Sequence, residues 1–176
     1  MINLFVCGIV DVPRFAQANL TDIVSFGDPA THPELCAPQP PPDFSIFPTT
    51  RIHRLELQDI CHVAETSVTA EHVQRLLDIA DSFIRSKDDV RVLYHCQAGI
   101  SRSTAAAFIL CVRAGMTYQE AHDHVLRVRG ILMPNALMIK HADILMNQGG
   151  KMLDFIASFS PDVQNWVKIN GYTFNA

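Results

Sequence analysis

The sequence has few charged residues and no strong excess of either sign. Charged side chains make up 18% of the 176 residues, and 14 Lys and Arg stand against 18 Asp and Glu, which gives a net charge of −4. Cationic surfaces attract nucleic acid and anionic membranes, so this balance excludes a general attraction to either. No apolar run approaches the ~18 residues of a membrane-spanning helix. We therefore expect no nucleic-acid partner and no membrane span.

Cysteine is sparse, and its spacing shows no pairing. The five cysteines are Cys7, Cys36, Cys61, Cys96 and Cys111. Their odd number and the lack of a Cys-x-x-Cys motif argue against a disulfide framework and against a zinc site. A basic region before the first apolar run, as in a signal peptide, is also missing. Reduced thiols without a signal peptide indicate a cytoplasmic protein.

Apolar residues are abundant, at 48%, and predict one core in a single domain over residues 1–176. Apolar or alternating runs predict strands at 2–9, 22–26, 51–58 and 90–94. Caps and helical spacing predict helices at 11–19, 69–86, 103–114, 117–129 and 134–150, with 151–159 extending or following the last. Strands and helices alternate at first, and helices crowd the second half. We predict an α/β fold, a three-layer sandwich with a short, mainly parallel sheet flanked by helices.

Two segments fall outside these elements. Residues 28–50 hold most of the prolines and are predicted to form a Pro-rich surface loop. The C-terminal tail, residues 160–176, is expected to dock on the body of the domain. In the third strand, we assign Ile52, Leu55 and Leu57 to the inner face.

The segment from His95 to Ser103, HCQAGISRS, has the properties of an anion cradle. It leaves the fourth strand and enters a helix, so successive backbone N–H groups and the helix amino end can converge on one point. Gly99 gives the loop the freedom that a tight turn needs. The guanidinium of Arg102 can bind two phosphate oxygens at once. A thiol at Cys96 would be ionised in such surroundings and would act as a nucleophile.

This segment resembles the signature of the protein tyrosine phosphatase superfamily, His-Cys-five residues-Arg-Ser/Thr. It is most similar to the dual-specificity phosphatases and to their short bacterial relatives, and the resemblance extends over roughly residues 50–147. It implies that Cys96 is the nucleophile and that Arg102 clamps the phosphate. Ser103 would assist departure of the thiolate, and His95 would hydrogen-bond inward to orient the loop. The other phosphate-binding residues would be Gln97, Ala98, Gly99, Ile100 and Ser101.

The family also uses an aspartate as general acid, on a loop one strand and one helix before the cysteine. Asp59 fits this order in the chain, and the fallback candidates are His62, Glu65 and Asp88. The segment Pro134-Asn135 resembles a Pro-Asn pair that supports the phosphate loop in dual-specificity members. We therefore assign Asn135 a supporting role by resemblance. The Arg-Pro pair that often precedes this pair in the family is replaced here by Arg129-Gly130.

The remaining reactive side chains are interpreted as structural. Three histidines, His122, His124 and His141, complete no metal-binding pattern, so we expect no metal and no cofactor. Arg127 and Arg129 are expected to lie on a solvated edge. The four cysteines other than Cys96 are expected to be inert packing residues.

Together these features predict a cysteine-dependent phosphatase that acts on phosphotyrosine in a protein or peptide, and that could extend to phosphoserine and phosphothreonine. An inositol phosphate or phosphoinositide phosphatase is an alternative, although the neutral side chains of the loop favour a substrate with one phosphate. A sulfurtransferase and a non-catalytic phosphate-binding module are further alternatives. The first would release thiocyanate from thiosulfate and cyanide, and the second would bind phosphopeptide without turnover.

Overall fold

The computed structural model describes residues 1–29 and 40–170. Within them, four strands form one parallel sheet in the order β1-β4-β2-β3. The strands are β1 (Ile2–Gly8), β2 (Asp22–Gly27), β3 (Arg51–Glu56) and β4 (Val90–Cys96). The predicted parallel sheet is therefore confirmed, and β4 lies inside it between β1 and β2. Its carboxyl end carries the cysteine of the signature.

The described residues form six α-helices, several of which begin at the predicted caps. Thr69 caps the first helix in a capping box, in which the ring of His72 takes the place of the usual glutamate. Thr117 and Glu120 form an ordinary capping box at the third. The helices are α1 (Ala70–Arg85), α2 (Arg102–Arg113), α3 (Tyr118–Arg129), α4 (Ala136–Leu145), α5 (Lys151–Phe159) and α6 (Pro161–Asn170). Short 3-10 helices cover Ile9–Phe15 and Phe44–Ile46.

The two faces of the sheet bury separate cores because side chains alternate along each strand. In β4, Val92 and Tyr94 face the larger core, which is completed by apolar residues of all six α-helices. Leu93 faces the smaller core, which includes Val12 of the first 3-10 helix and Phe47. The helices are thus concentrated on one face, and 3-10 turns and loop residues cover the other. The α/β class predicted from the sequence is confirmed.

Some local predictions are corrected. Ile52 was assigned to the inner face with Leu55 and Leu57, but it is 36% exposed while both leucines are 1% exposed. Ile52 is an odd number of residues from both leucines, so the alternation of the strand turns it to the opposite face. The helix predicted over 134–150 covers only Ala136–Leu145. The 28–50 loop contains a 3-10 helix, and its residues 30–39, including Cys36, lie outside the described residues, as do 171–176.

Within residues 1–29 and 40–170, none of the helices combines the length and the apolar character needed to cross a membrane.

Candidate active site

The phosphate loop, residues 96–102, connects the end of β4 to the start of α2. Parallel strands place their carboxyl ends at one edge of a sheet, where α/β proteins bind ligands. The loop is fixed to the neighbouring strand because Cys96 pairs with Gly8 and the N–H of Ile9 donates to the carbonyl of Gln97 at 3.1 Å. The sequence therefore forms the predicted strand-loop-helix unit.

Two glycines allow this close packing. Gly99 has a φ of +71°, and a Cβ added there would lie 2.3 Å from the carbonyl carbon of Cys7. Its lack of a side chain is therefore required both by its conformation and by the neighbouring strand. Gly8 faces the loop from the other side, where a Cβ would lie 3.0 Å from the carbonyl oxygen of Ala98.

Cys96 and Ser103 face each other across the base of the loop. The Sγ atom of Cys96 lies 3.2 Å from the Oγ atom of Ser103, and both residues are buried. A hydroxyl at this distance can donate a hydrogen bond to a sulfur that carries negative charge. This is the geometry that the resemblance requires of a serine that assists a departing thiolate.

Arg102 is buried at 2% exposure and is held by two hydrogen bonds. Its Nη1 donates to Oδ1 of Asp28 and to the carbonyl of Leu57, both at 2.7 Å. Its Nε has no hydrogen-bond partner among residues 1–29 and 40–170. A buried, unpartnered N–H is costly unless an acceptor binds there, so Nε is suited to receive an oxygen of an anion. Asp28 holds the guanidinium in place for that contact.

Asp59 lies beside this guanidinium, after the end of β3. Its Oδ1 accepts hydrogen bonds from Oγ of Ser101 at 2.7 Å and from Nδ2 of Asn135 at 3.0 Å. Its Oδ2 lies 3.6 Å from Nε of Arg102. The carboxylate is therefore positioned at the rim of the phosphate loop, where a general acid could reach the leaving oxygen.

The fallback acids differ in their placement. Asp88 precedes the amino end of β4, and Cys96 is the last residue of that seven-residue strand, so the strand alone places roughly 20 Å between them at ~3.3 Å per residue. It is therefore excluded as an acid for the phosphate loop. His62 and Glu65 are exposed residues of the loop that follows Asp59.

Asn135 connects Asp59 to the helical layer. Its Oδ1 accepts from the N–H of Met138 at 3.1 Å and so caps α4, while its Nδ2 also donates to the carbonyl of Ile60 at 3.2 Å. The side chain is 1% exposed, and every one of these contacts fixes its orientation. The position of Asn135 is consistent with the supporting role that the resemblance implies.

The inward hydrogen bond expected of the His95 ring is not seen among residues 1–29 and 40–170. Neither ring nitrogen has a partner in the described part of the chain, and the ring packs near Phe44, with 6.2 Å between centroids. Burial, followed by the nearby cation of Arg54, lowers the pKa of His95 to about 4. The ring is therefore neutral at neutral pH and fills space beneath the loop on the side of the smaller core.

The sequence predicted a solvated edge for Arg129, and this prediction is wrong. Its Nε donates to the carbonyl of Gly99 at 2.8 Å and its Nη2 to that of Ala98 at 3.0 Å. In a trans peptide the N–H points opposite to the C=O, so these bonds direct the N–H groups of Gly99 and Ile100 away from Arg129. Arg129 thus braces the loop from outside, whereas Arg127 is exposed.

Replacing Arg129 with alanine should lower kcat/KM for an aryl phosphate about tenfold, because two charge-assisted hydrogen bonds that orient the loop are lost. The matched control is Arg127→Ala, which removes the same kind of residue from the same helix without a contact to the loop. Steady-state kinetics would check this, with thermal unfolding to confirm that both variants fold. Equal activities of the two variants would contradict the bracing role.

The other described cysteines are Cys7 and Cys111, which are buried, and Cys61, which is half-buried. Burial raises the pKa of the Cys7 and Cys111 thiols to about 12, and it also raises the pKa of Cys61. Such thiols stay protonated and unreactive at neutral pH. This agrees with their predicted role in packing.

Two charged residues that hold the phosphate loop were missed by the sequence analysis. Asp28 accepts a hydrogen bond from Arg102, and Arg129 donates to the loop carbonyls. The position of Asp28 carried a usable signal, because it directly follows β2, as Asp59 closely follows β3, and both strands end at the edge that holds Cys96. For Arg129, the signal was its position shortly before Pro134-Asn135, because the family pattern has the arginine of its Arg-Pro pair at that position.

The chain matches no family model. In sequence it is similar to the viral protein named "Putative tyrosine phosphatase 123R" of Invertebrate iridescent virus 6, with 35% identity over 78 residues. The aligned part covers 44% of this chain and 54% of the viral protein, so the chain spans about half the length of that relative.

Several solved structures share the fold. Human DUSP28 superposes with a TM-score of 0.60 at 20% identity, over 82% of this chain and 94% of DUSP28. The Yvh1 phosphatase domain of Chaetomium thermophilum gives 0.59 at 21%, over 83% of this chain and 91% of that domain. The human tyrosine phosphatase-like serine/threonine/tyrosine-interacting protein gives 0.60 at 20%, over 83% and 92%. These likenesses confirm the predicted fold, which is that of the dual-specificity phosphatases.

Proposed function

We propose that this chain, which has the fold of the dual-specificity phosphatases, is a cysteine-dependent phosphatase that hydrolyses phosphomonoesters of protein side chains. The observation that carries the proposal is the convergence of four groups on one loop. Sγ of Cys96 lies against Oγ of Ser103, the buried Nε of Arg102 lacks a hydrogen-bond partner in the described residues, and the Asp59 carboxylate forms an ion pair with that Nε at 3.6 Å.

In the first step, the sulfur of Cys96 attacks phosphorus, and an S–P bond forms as the bond to the ester oxygen breaks. Asp59, in its protonated form, donates its proton to the leaving oxygen. Arg102 binds two non-bridging oxygens, and the loop N–H groups bind the charge that develops in the transition state. The product alcohol or phenol then leaves.

In the second step, water attacks the phosphocysteine while the Asp59 carboxylate accepts a proton from it. The S–P bond breaks, phosphate is released, and the Ser103 hydroxyl donates a hydrogen bond to the departing sulfur. The chain's own side chains supply every proton transfer in this scheme, which needs no cofactor. Since the sulfur must stay reduced, we place the reaction in a reducing compartment, the cytoplasm.

The proposed substrate is a protein phosphoester with one phosphate. The variable loop positions carry neutral side chains, at Gln97, Ala98, Ile100 and Ser101, so a second phosphate would find no cation there. Phosphotyrosine is the first expected substrate, and phosphoserine and phosphothreonine are further ones. A panel of these phosphopeptides with inositol phosphates tests the proposal, and a preference for the inositol phosphates would overturn it.

Substituting Asp59 by asparagine should lower kcat about 10²- to 10⁴-fold for alkyl or phenyl phosphates, because no proton reaches a poor leaving group. The loss should be much smaller with p-nitrophenyl phosphate, whose leaving group needs little protonation. Rates measured over a series of aryl phosphates of varied acidity would check this. The control is Asp154→Asn, an exposed carboxylate of α5 that lies outside the site. An unchanged dependence on leaving-group acidity would assign the acid role to another residue.

A further inference from the structure

A cavity of about 320 Å³ opens beside the phosphate loop, between that loop and α6. The indole N–H of Trp166 donates to the carbonyl of Cys61, which fixes α6 to the loop that carries Asp59. Ile100 and Ser101 of the phosphate loop line the cavity, and so does Asn135, the partner of Asp59. The cavity therefore shares a wall with the proposed catalytic site.

The lining of this cavity is mainly apolar. The larger apolar side chains are those of Ile100, Met133, Pro134, Val163, Trp166 and Ile169. Two of them remain accessible, Met133 at 44% exposure and Ile169 at 74%. Exposed apolar side chains that lie together gain free energy when a ligand covers them. Asp162 is the one charged residue among the lining residues in the described part of the chain. An anionic headgroup would find no cation here.

We propose that this cavity binds an apolar side chain of the substrate, one that lies near the phosphorylated residue in the same peptide. The inference rests on the proposed phosphatase function and adds a sequence preference to it. Ligand pockets usually measure ~300–1,000 Å³, so this cavity of about 320 Å³ is at the small end of the range and has room for one leucine or aromatic side chain. The shared wall at Ile100 and Ser101 means that a peptide with its phosphate over Cys96 passes directly by the opening.

The acidic rim supports a peptide as the occupant. Asp162 lines the cavity, Asp59 accepts a hydrogen bond from Asn135 in the cavity wall, and the whole chain carries a net charge of −4. This negative charge repels an anionic lipid surface, and it does not repel a peptide with neutral or basic side chains around the phosphorylated residue. The exposed amide of Asn165 on the rim can also donate to, or accept from, peptide groups.

The test uses the full chain and phosphotyrosine peptides in which one leucine is moved through the positions on either side of the phosphotyrosine, with asparagine as the reference. We expect one position at which leucine raises kcat/KM about tenfold, mainly through KM. Ile169→Glu should remove that preference, and so should Asn165→Phe, which fills the cavity. Ile144→Glu is the matched control, because it changes another exposed isoleucine, on α4, and should keep the preference.

The outcomes separate this inference from the function on which it rests. Turnover of every peptide at equal rates, or a preference that survives Ile169→Glu, would overturn the cavity as a subsite and leave the phosphatase intact. A lack of turnover with all peptides and with p-nitrophenyl phosphate would overturn the proposed function itself. Faster turnover of a single-chain lipid phosphate than of any peptide, lost in Ile169→Glu, would overturn the peptide assignment.

Discussion

The Cys96→Ser variant is expected to lose turnover of aryl phosphates by at least about 10⁴-fold, because the reaction loses its nucleophile. A serine hydroxyl in the same place is protonated at neutral pH and attacks phosphorus far more weakly than a thiolate. The proposed anion site should remain, since backbone N–H groups and Arg102 would form it without the thiol. The variant should therefore still bind phosphate or vanadate, as measured by titration calorimetry.

The control for this result is Cys111→Ser, which removes a buried thiol near the other end of α2. It should cost some stability and retain catalysis once folding is confirmed by thermal unfolding. Substantial activity in Cys96→Ser, or an equal loss in both variants, would remove the basis for covalent catalysis by Cys96.

The Arg102→Lys variant is expected to lower kcat/KM about 10²- to 10³-fold, although it keeps the positive charge. A lysine provides a single ammonium group and cannot present two parallel N–H donors to phosphate oxygens. It also cannot reproduce the contacts of Nη1 with Asp28 and with the carbonyl of Leu57. Phosphate affinity should fall together with kcat/KM, because the same donors bind the ground state and the transition state.

Arg113→Lys provides the comparison for Arg102→Lys, since Arg113 is the last residue of α2 and pairs with Asp81 on the surface. An exposed ion pair contributes little, so this variant should behave like the unmodified protein. If Arg102→Lys retained full kcat/KM, charge alone would suffice and the bidentate clamp would be wrong.

The centre of the site could be predicted from the sequence because its determinants are local. A β-rich run, a loop with Gly99 and an Ala-rich helix follow one another within a short stretch, and they specify the strand-loop-helix unit without knowledge of the rest of the fold. The need for a glycine at position 99 was anticipated for the same reason, although its contact with Cys7 depends on how β1 pairs with β4.

The supporting residues were harder to predict because their partners are distant in the chain. Arg129 lies 30 residues from Gly99, and its hydrogen bonds exist only because α3 packs beside the loop. Asp28 lies 74 residues from Arg102, in a segment that its prolines marked as a connector. The inward hydrogen bond expected of His95 is likewise missing from the described part of the chain, where its ring packs near Phe44.

Trapping the covalent intermediate tests the central claim most directly. The Ser103→Ala variant, in which departure of the sulfur is no longer assisted, should be mixed with p-nitrophenyl phosphate, quenched rapidly under denaturing conditions and digested for mass spectrometry. The account predicts one phosphoryl group on the peptide that contains Cys96, at higher occupancy than in the unmodified protein. Steady turnover with that peptide never phosphorylated, in either protein, would contradict it.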